Sequence, residues 1–287
     1  MSLAQVIDRA RRGEGPLVMG IVNVTPDSFS DGGHFLDPKK ALEQARRLSA
    51  EGADILDVGG ESTRPGSEPV TLEAELERVI PVIQAIVAEL PTPVSVDTSK
   101  PEVMARAVKA GASMINDVNA LRADGAMEAV AEAGVPVCLM HMQGEPGSMQ
   151  KNPEYQDVVR DIKSFFLERI LACEFAGIRR ENLVLDPGFG FGKTLEHNLE
   201  LLRRLGEFAD LDRPLLVGLS RKSMLGRLTG QEDPEKRLAA SLAAAVLAAE
   251  RSAAIIRVHD VAPTVDAMAV TRAVARPDPG ATIADDE

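Results

Sequence analysis

Eight short apolar or β-branched runs recur along the chain, at residues 17–24, 54–58, 94–96, 114–118, 135–140, 183–185, 215–219 and 255–258, each bounded by glycine, proline or polar residues. Segments of helical periodicity separate them, at 38–51, 72–90, 101–110, 125–133, 155–176, 195–205 and 237–251, with 263–275 after the last. A helix between two strands carries the chain back to the starting edge of the sheet, so such strands run parallel. Eight repeats of the unit predict an α/β fold closed into a (β/α)8 TIM barrel rather than an open doubly wound sheet. The length of 287 residues fits, since barrels of this kind use about 250 residues as one unit. No linker-like stretch divides the chain. The expected organisation is a lead-in at 1–16, a barrel domain at 17–275 and a frayed acidic tail at 276–287 that closes on Asp285, Asp286 and Glu287.

Composition narrows the function. Thirty-two basic against 44 acidic residues give a formal charge of -12, which disfavours non-specific attachment to nucleic acid or to an anionic membrane. A phosphate-bearing ligand has to be held by a few placed cations. The longest apolar run, 238–249, is Ala-rich and stopped by Glu250 and Arg251, well short of the roughly 20 residues a bilayer span needs. It is read as a packed helix. Residues 1–15 carry Asp8, Arg9, Arg11, Arg12 and Glu14 and no signal-like apolar stretch, so a cytoplasmic location is expected. Cys138 and Cys173 are too few for a disulfide framework or a zinc cage and are read as buried free thiols.

Catalytic groups of such barrels stand where the strands end. The side chains there are Asn23, Asp57, Asp97, Asn116, Met140 with His141, Asp186, Lys222 just past the seventh strand, and Arg257 with His259 around the eighth. A single Asp or Asn after a strand is as readily explained by capping of the next helix. Convergence of so many polar groups on one mouth is not. Asp97, Asn116 and Asp186 offer acceptor edges suited to a planar heterocycle rich in N–H donors. Lys222, Arg257 and His259, with Asn23 opposite, make a local cationic pocket for a phosphate or carboxylate. A Schiff-base role for Lys222, as in barrel aldolases, is less favoured, because that chemistry wants a desolvated lysine, whereas Arg221 adjoins it and carboxylates are expected across the mouth.

The run 188–194, GFGFGKT, ends like a phosphate loop, but Pro187 stands where its first glycine is required, and Lys193 breaks the dinucleotide-binding pattern. It is read instead as a loop whose glycines let backbone approach a ligand while Phe189 or Phe191 supplies an aromatic wall. His34 and His197 lack metal-ligand spacing and are read as surface or capping residues. Two connections, 25–37 and 59–71, exceed the usual βα length of about 2–6 residues. Rich in Gly, Ser, Asp and Pro, they are expected to be mobile and to carry function.

Residues 20–33, GIVNVTPDSFSDGG, resemble the first signature of the dihydropteroate synthase family, and 57–66, DVGGESTRPG, the second. SVDT at 95–98, INDV at 115–118, LMHMQG at 139–144, DPGFGFGK at 186–193, SRKS at 220–223 and RVHD at 257–260 follow in the family's order. The resemblance runs from residue 17 to about 275, with no departure at a motif position. It implies a homodimeric (β/α)8 transferase of folate biosynthesis that joins 6-hydroxymethyl-7,8-dihydropterin diphosphate to 4-aminobenzoate, with Mg2+, and that sulfonamides inhibit.

The same resemblance implies site roles. Asp97, Asn116, Met140, Asp186, Lys222 and Arg257 would surround the pterin, with Asp97, Asp186, Lys222 and Arg257 the catalytic set. Asn23, Thr63, Arg64, Arg257 and His259 would serve the diphosphate, Asn23 also the metal. Phe29, Thr63, Pro65, Phe191, Lys222 and Ser223 would shape the aminobenzoate pocket. A methyltetrahydrofolate:corrinoid methyltransferase would share the barrel and the pterin set, but it has no use for the two long loops or the 220–223 cluster. An inactive pterin-binding module should have lost Asn23, Lys222 or His259, all present here.

Overall fold

The computed structural model describes residues 5, 7, 14–25, 38–62, 69–144, 149 and 152–275. Strands β1 (Leu17–Asn23), β2 (Ile55–Gly59), β3 (Val94–Asp97), β4 (Met114–Asp117), β5 (Val137–Met140), β6 (Leu183–Asp186), β7 (Leu215–Val217) and β8 (Ala253–Val258) pair in chain order into a closed barrel. All neighbours are parallel, and closure comes from β1 lying on β8, with Leu17 opposite Ile255 and Gly20 opposite Val258. The helices are α1 (Pro38–Ala50), α2 (Leu72–Glu89), α3 (Pro101–Lys109), α4 (Ala126–Ala133), α5 (Val158–Phe175), α6 (Leu195–Arg203), α7 (Ser223–Thr229), α8 (Leu238–Glu250) and α9 (Val261–Ala275). The (β/α)8 expectation is met.

Side chains alternate across a strand, so a strand buried on both faces feeds two cores. Met19, Ile55, Met114, Cys138, Val184, Leu216 and Ile255, with Leu17 and Ile7, form one apolar cluster inside the barrel. Their sequence neighbours Val18, Leu56, Ile115, Val137, Leu139, Val217 and Ile256 belong to the larger cluster between barrel and helices. One pleat further toward the strand C-termini, the inward positions turn polar. Asp57, Asn116, Asp186 and Arg257 each stand two residues beyond a member of the inner cluster, as does Met140. The apolar plug thereby fixes the floor on which the polar layer rests.

Boundaries differ from expectation where local chemistry intervenes. The fifth strand starts at Val137 rather than 135, because Pro136 contributes only its carbonyl, which accepts from Ile115 N at 3.0 Å. The seventh ends at Val217, before Gly218, and carries a register irregularity against β8. Helix α5 begins after Asp157, whose extended backbone and Oδ1 cap the Val159 and Arg160 N–H groups at 3.0 Å each. Helix α7 and the 3-10 turns Arg180–Asn182, Leu205–Leu211 and Pro234–Arg237 were not expected, being too short to show a period. His197 completes a capping box with Thr194 at the start of α6. In α8, Ser241, Ala244, Ala245 and Ala248 are buried, as expected of a packed helix. Both cysteines are buried and free. No helix among the described residues is long and apolar enough to cross a membrane. The tail at 276–287, His34, and the stretches 26–37 and 63–68 of the two long loops lie outside the described residues.

Candidate active site

The centre of the polar layer is Arg257. Its Nε donates to Asp57 Oδ2 at 2.6 Å and its Nη2 to Asp97 Oδ2 at 2.8 Å. Asn116 Nδ2 donates to the same Asp57 oxygen at 3.1 Å. With that donor committed, Oδ1 is the atom Asn116 can offer an N–H-bearing ligand. Burial pushes the Asp97 carboxyl up to about 7, against the opposing pull of Arg257 and with help from Asp57. Burial by itself would lower the Arg257 guanidinium, yet the Asp57 and Asp97 charges hold it above its ordinary value.

Across the mouth, Asp186 Oδ1 accepts from Gly188 N at 2.8 Å, and burial raises its carboxyl, opposed by that bond and by Lys222. Lys222 lies at the cap of α7, where its Nζ donates to Phe189 O at 2.7 Å and sits 4.2 Å from the centre of the Phe191 ring. Burial draws this ammonium down to about 8, with Asp186 acting the other way. The expectation of a solvated Lys222 is corrected in part: burial is the larger influence on it, although the residue keeps partial exposure and Asp186 faces it as expected. Arg221 does not crowd it, because Arg221 turns aside to a two-point ion pair with Asp260 at 3.0 and 2.7 Å. Met140, Met142 and Met149 pack together with Val118 and Phe191 against them, an apolar cluster at the end of β5. Of the two phenylalanines, Phe189 is core and Phe191 is the partly exposed one.

At the seam of the barrel, Asn23 ends β1 and His259 follows β8. Ser220 Oγ holds His259 twice, at 3.1 Å from Nδ1 and at 3.2 Å from its backbone N. Ser223 opens α7 directly after Lys222. The base of the second long loop is tied down by Lys100, whose Nζ reaches Glu61 and the buried Glu75 at 2.5 Å each. Phe29, Thr63, Arg64 and Pro65 lie outside the described residues.

Four participants carried no individual site role in the sequence reading. Asp57 was visible only as one more strand-end acid; that it neutralises Arg257 depends on contact across the barrel. Ser220 and Met142 lie within quoted motifs but act through three-dimensional contact. Lys193, dismissed with the phosphate loop, is a buried lysine whose Nζ lies 3.1 Å from His141 Nδ1.

The pterin-binding enzyme model matches residues 19–259. Dihydropteroate synthase of Escherichia coli K12 is 56% identical over 258 residues, which covers 90% of this chain and 91% of that protein. The chain belongs to the dihydropteroate synthase family. Among solved structures, the Yersinia pestis dihydropteroate synthase with a sulfonamide drug superposes with a TM-score of 0.88 at 51% identity, covering 91% of this chain and 95% of that one. The Xanthomonas albilineans dihydropteroate synthase in complex with 7,8-dihydropteroate gives 0.84 at 54% identity, covering 91% and 94%. As a dihydropteroate synthase family member, the chain is a transferase of folate biosynthesis. The corrinoid methyltransferase and inactive-module alternatives yield to this family.

Proposed function

We propose that the polar layer at the barrel mouth condenses 6-hydroxymethyl-7,8-dihydropterin diphosphate with 4-aminobenzoate, giving 7,8-dihydropteroate and pyrophosphate. The observation that carries this reading is the single layer in which Asp97, Asn116 and Asp186 offer acceptors while Arg257 and Lys222 supply the cations. Asp97, Asn116 and Asp186 receive the pterin N–H groups, Met140 packs on the ring, and Lys222 and Arg257 complete its surround. Asn23, His259, Arg257, Thr63 and Arg64 take the diphosphate. Phe29, Thr63, Pro65, Phe191, Lys222 and Ser223 receive the aminobenzoate.

The carbon–oxygen bond to diphosphate breaks with its electron pair on oxygen, and the cation left on the exocyclic carbon is delocalised into the electron-rich pterin. The Asp97 and Asp186 charges stabilise it without having to reorganise. The aminobenzoate nitrogen, neutral at pH 7, attacks that carbon and releases its proton to solvent, so no strong base is required. Magnesium is usually held by one or two protein oxygens and by substrate phosphates. Among the described residues no group of three His, Cys, Asp or Glu is gathered that could cage an ion. The Asn23 amide oxygen, a hard donor at the end of β1, suits an ion carried in on the diphosphate, whose charge it would neutralise.

The domain division at 16/17 and 275/276, a cytoplasmic location, inhibition by sulfonamides and a homodimer belong to the same reading. Leu167, Leu171 and Phe175 support the dimer, forming an exposed stripe at four-residue spacing along α5, with Phe175 91% exposed. Product analysis tests the function: with both substrates, 7,8-dihydropteroate and pyrophosphate should form in equal amounts. Pyrophosphate release with no 7,8-dihydropteroate formed would overturn the reading.

A further inference from the structure

Lys193 is 3% exposed, and burial draws its ammonium down to about 7, with Asp186 acting the other way; its Nζ is met by carbonyl oxygens. Its Nζ reaches Gly188 O at 2.8 Å, Phe191 O at 3.0 Å, His141 O at 3.4 Å and His141 Nδ1 at 3.1 Å. Carbonyls from one short loop converge on a point only if the backbone turns repeatedly. Gly188, Gly190 and Gly192 supply those turns, with φ of 70°, 82° and 60°. A Cβ at Gly188 would overlap the His141 carbonyl, and one at Gly192 the Gln143 carbonyl, so the loop also lies hard against the segment after β5. From outside, Asn198 Oδ1 accepts from Gly190 N at 2.7 Å and Tyr155 donates to Gly192 O at 2.8 Å.

Burying an ammonium is costly, and an apolar side chain would fill the same space more cheaply. What an apolar side chain lacks is the donors that hold converging carbonyls together. Two residues of this loop face Lys222, through the Phe189 carbonyl and the Phe191 ring.

We propose that Lys193 is a positioning residue for the aminobenzoate half of the site: its ammonium is the template on which residues 188–192 fold, and through the Phe191 carbonyl it sets the Phe191 ring against Lys222. The inference rests on the reading of Phe191 as a wall of the aminobenzoate pocket. Lys193 acts through that wall and does not touch substrate.

The test is steady-state kinetics on the full-length Lys193→Met, Phe191→Leu and double variants. Lys193→Met should raise the KM for 4-aminobenzoate about 10-fold and that for the pterin diphosphate less than about 3-fold, and the double variant should be no worse than the poorer single variant. Should Lys193→Met fail to fold, Lys193→Gln, which keeps two N–H donors without the charge, should show a smaller rise in the same KM. Equal rises in both KM values, or fully additive effects in the double variant, would overturn the inference. An aminobenzoate KM that rises in Phe191→Leu but not in Lys193→Met would overturn it alone. An unchanged KM in Phe191→Leu would instead remove the wall reading on which it stands.

Discussion

Asp57 and Arg257 stand 200 positions apart in the chain and meet inside the barrel, Oδ2 to Nε at 2.6 Å. Asp57 is fully buried, and its second oxygen, Oδ1, has no hydrogen-bond partner. A carboxylate in that position persists because the guanidinium neutralises it. The guanidinium in turn is held in the one orientation that also lets it reach Asp97. The pair pins the cation at the centre of the mouth.

Replacing Asp57 by Asn keeps the shape and removes the charge. Stability should fall by about 3 kcal/mol, the low end for breaking a buried pair, because Asp97 still faces Arg257. Pterin affinity should fall with it, since Arg257 would be held by the Asp97 charge alone. Chemical denaturation and calorimetry read the two effects. An unchanged midpoint together with an unchanged pterin affinity would show that the pin is dispensable.

Activity should follow a bell in pH. The Asp97 carboxylate, pushed up to about 7 by burial, protonates as pH falls and then no longer stabilises the developing cation. The Lys222 ammonium, drawn down to about 8 by burial, loses its proton as pH rises and with it the donors it offers. The acid limb belongs to the carboxylate and the alkaline limb to the amine. Lys222→Arg should flatten the alkaline limb while leaving the acid one. A wild-type profile that is level from about pH 6 to about pH 9 would contradict both assignments.

The barrel was legible because short apolar runs and runs of helical period alternate eight times, and strand-end polarity located the mouth. Asn23, Asp97, Asn116, Asp186, Lys222, Arg257 and His259 all emerged that way. What stayed hidden depends on contacts between distant elements. Nothing local distinguishes Asp57, which neutralises a cation, from an acid that caps a helix. Lys193 was obscured by its motif context, since a Gly-rich run ending in Gly-Lys suggests a phosphate ligand, whereas here the lysine turns inward to the loop's own carbonyls. Helix α7, with Gly226 in its middle, has too few residues for an amphipathic pattern.

Turnover should stop when divalent metal is chelated and return when Mg2+ is restored. Asn23→Ala should weaken binding of pyrophosphate in the presence of Mg2+ and leave binding of a pterin that lacks the diphosphate unchanged. Calorimetry separates the two. Full activity in EDTA, or equal pyrophosphate affinity in Asn23→Ala, would place the anion and its ion elsewhere.

If the acceptors of the polar layer hold the pterin, Asp186→Ala should loosen it. This change removes one charge from the mouth while the apolar plug beneath, with Val184 and Cys138, is untouched. Titration of the pterin diphosphate into wild type and Asp186→Ala, with thermal unfolding run in parallel, gives the answer. Asp186→Ala should fold and bind with an affinity lower by about 10- to 100-fold, the worth of one or two hydrogen bonds to a charged acceptor. A folded Asp186→Ala protein that binds the pterin diphosphate as tightly as wild type would contradict that role of the acceptors.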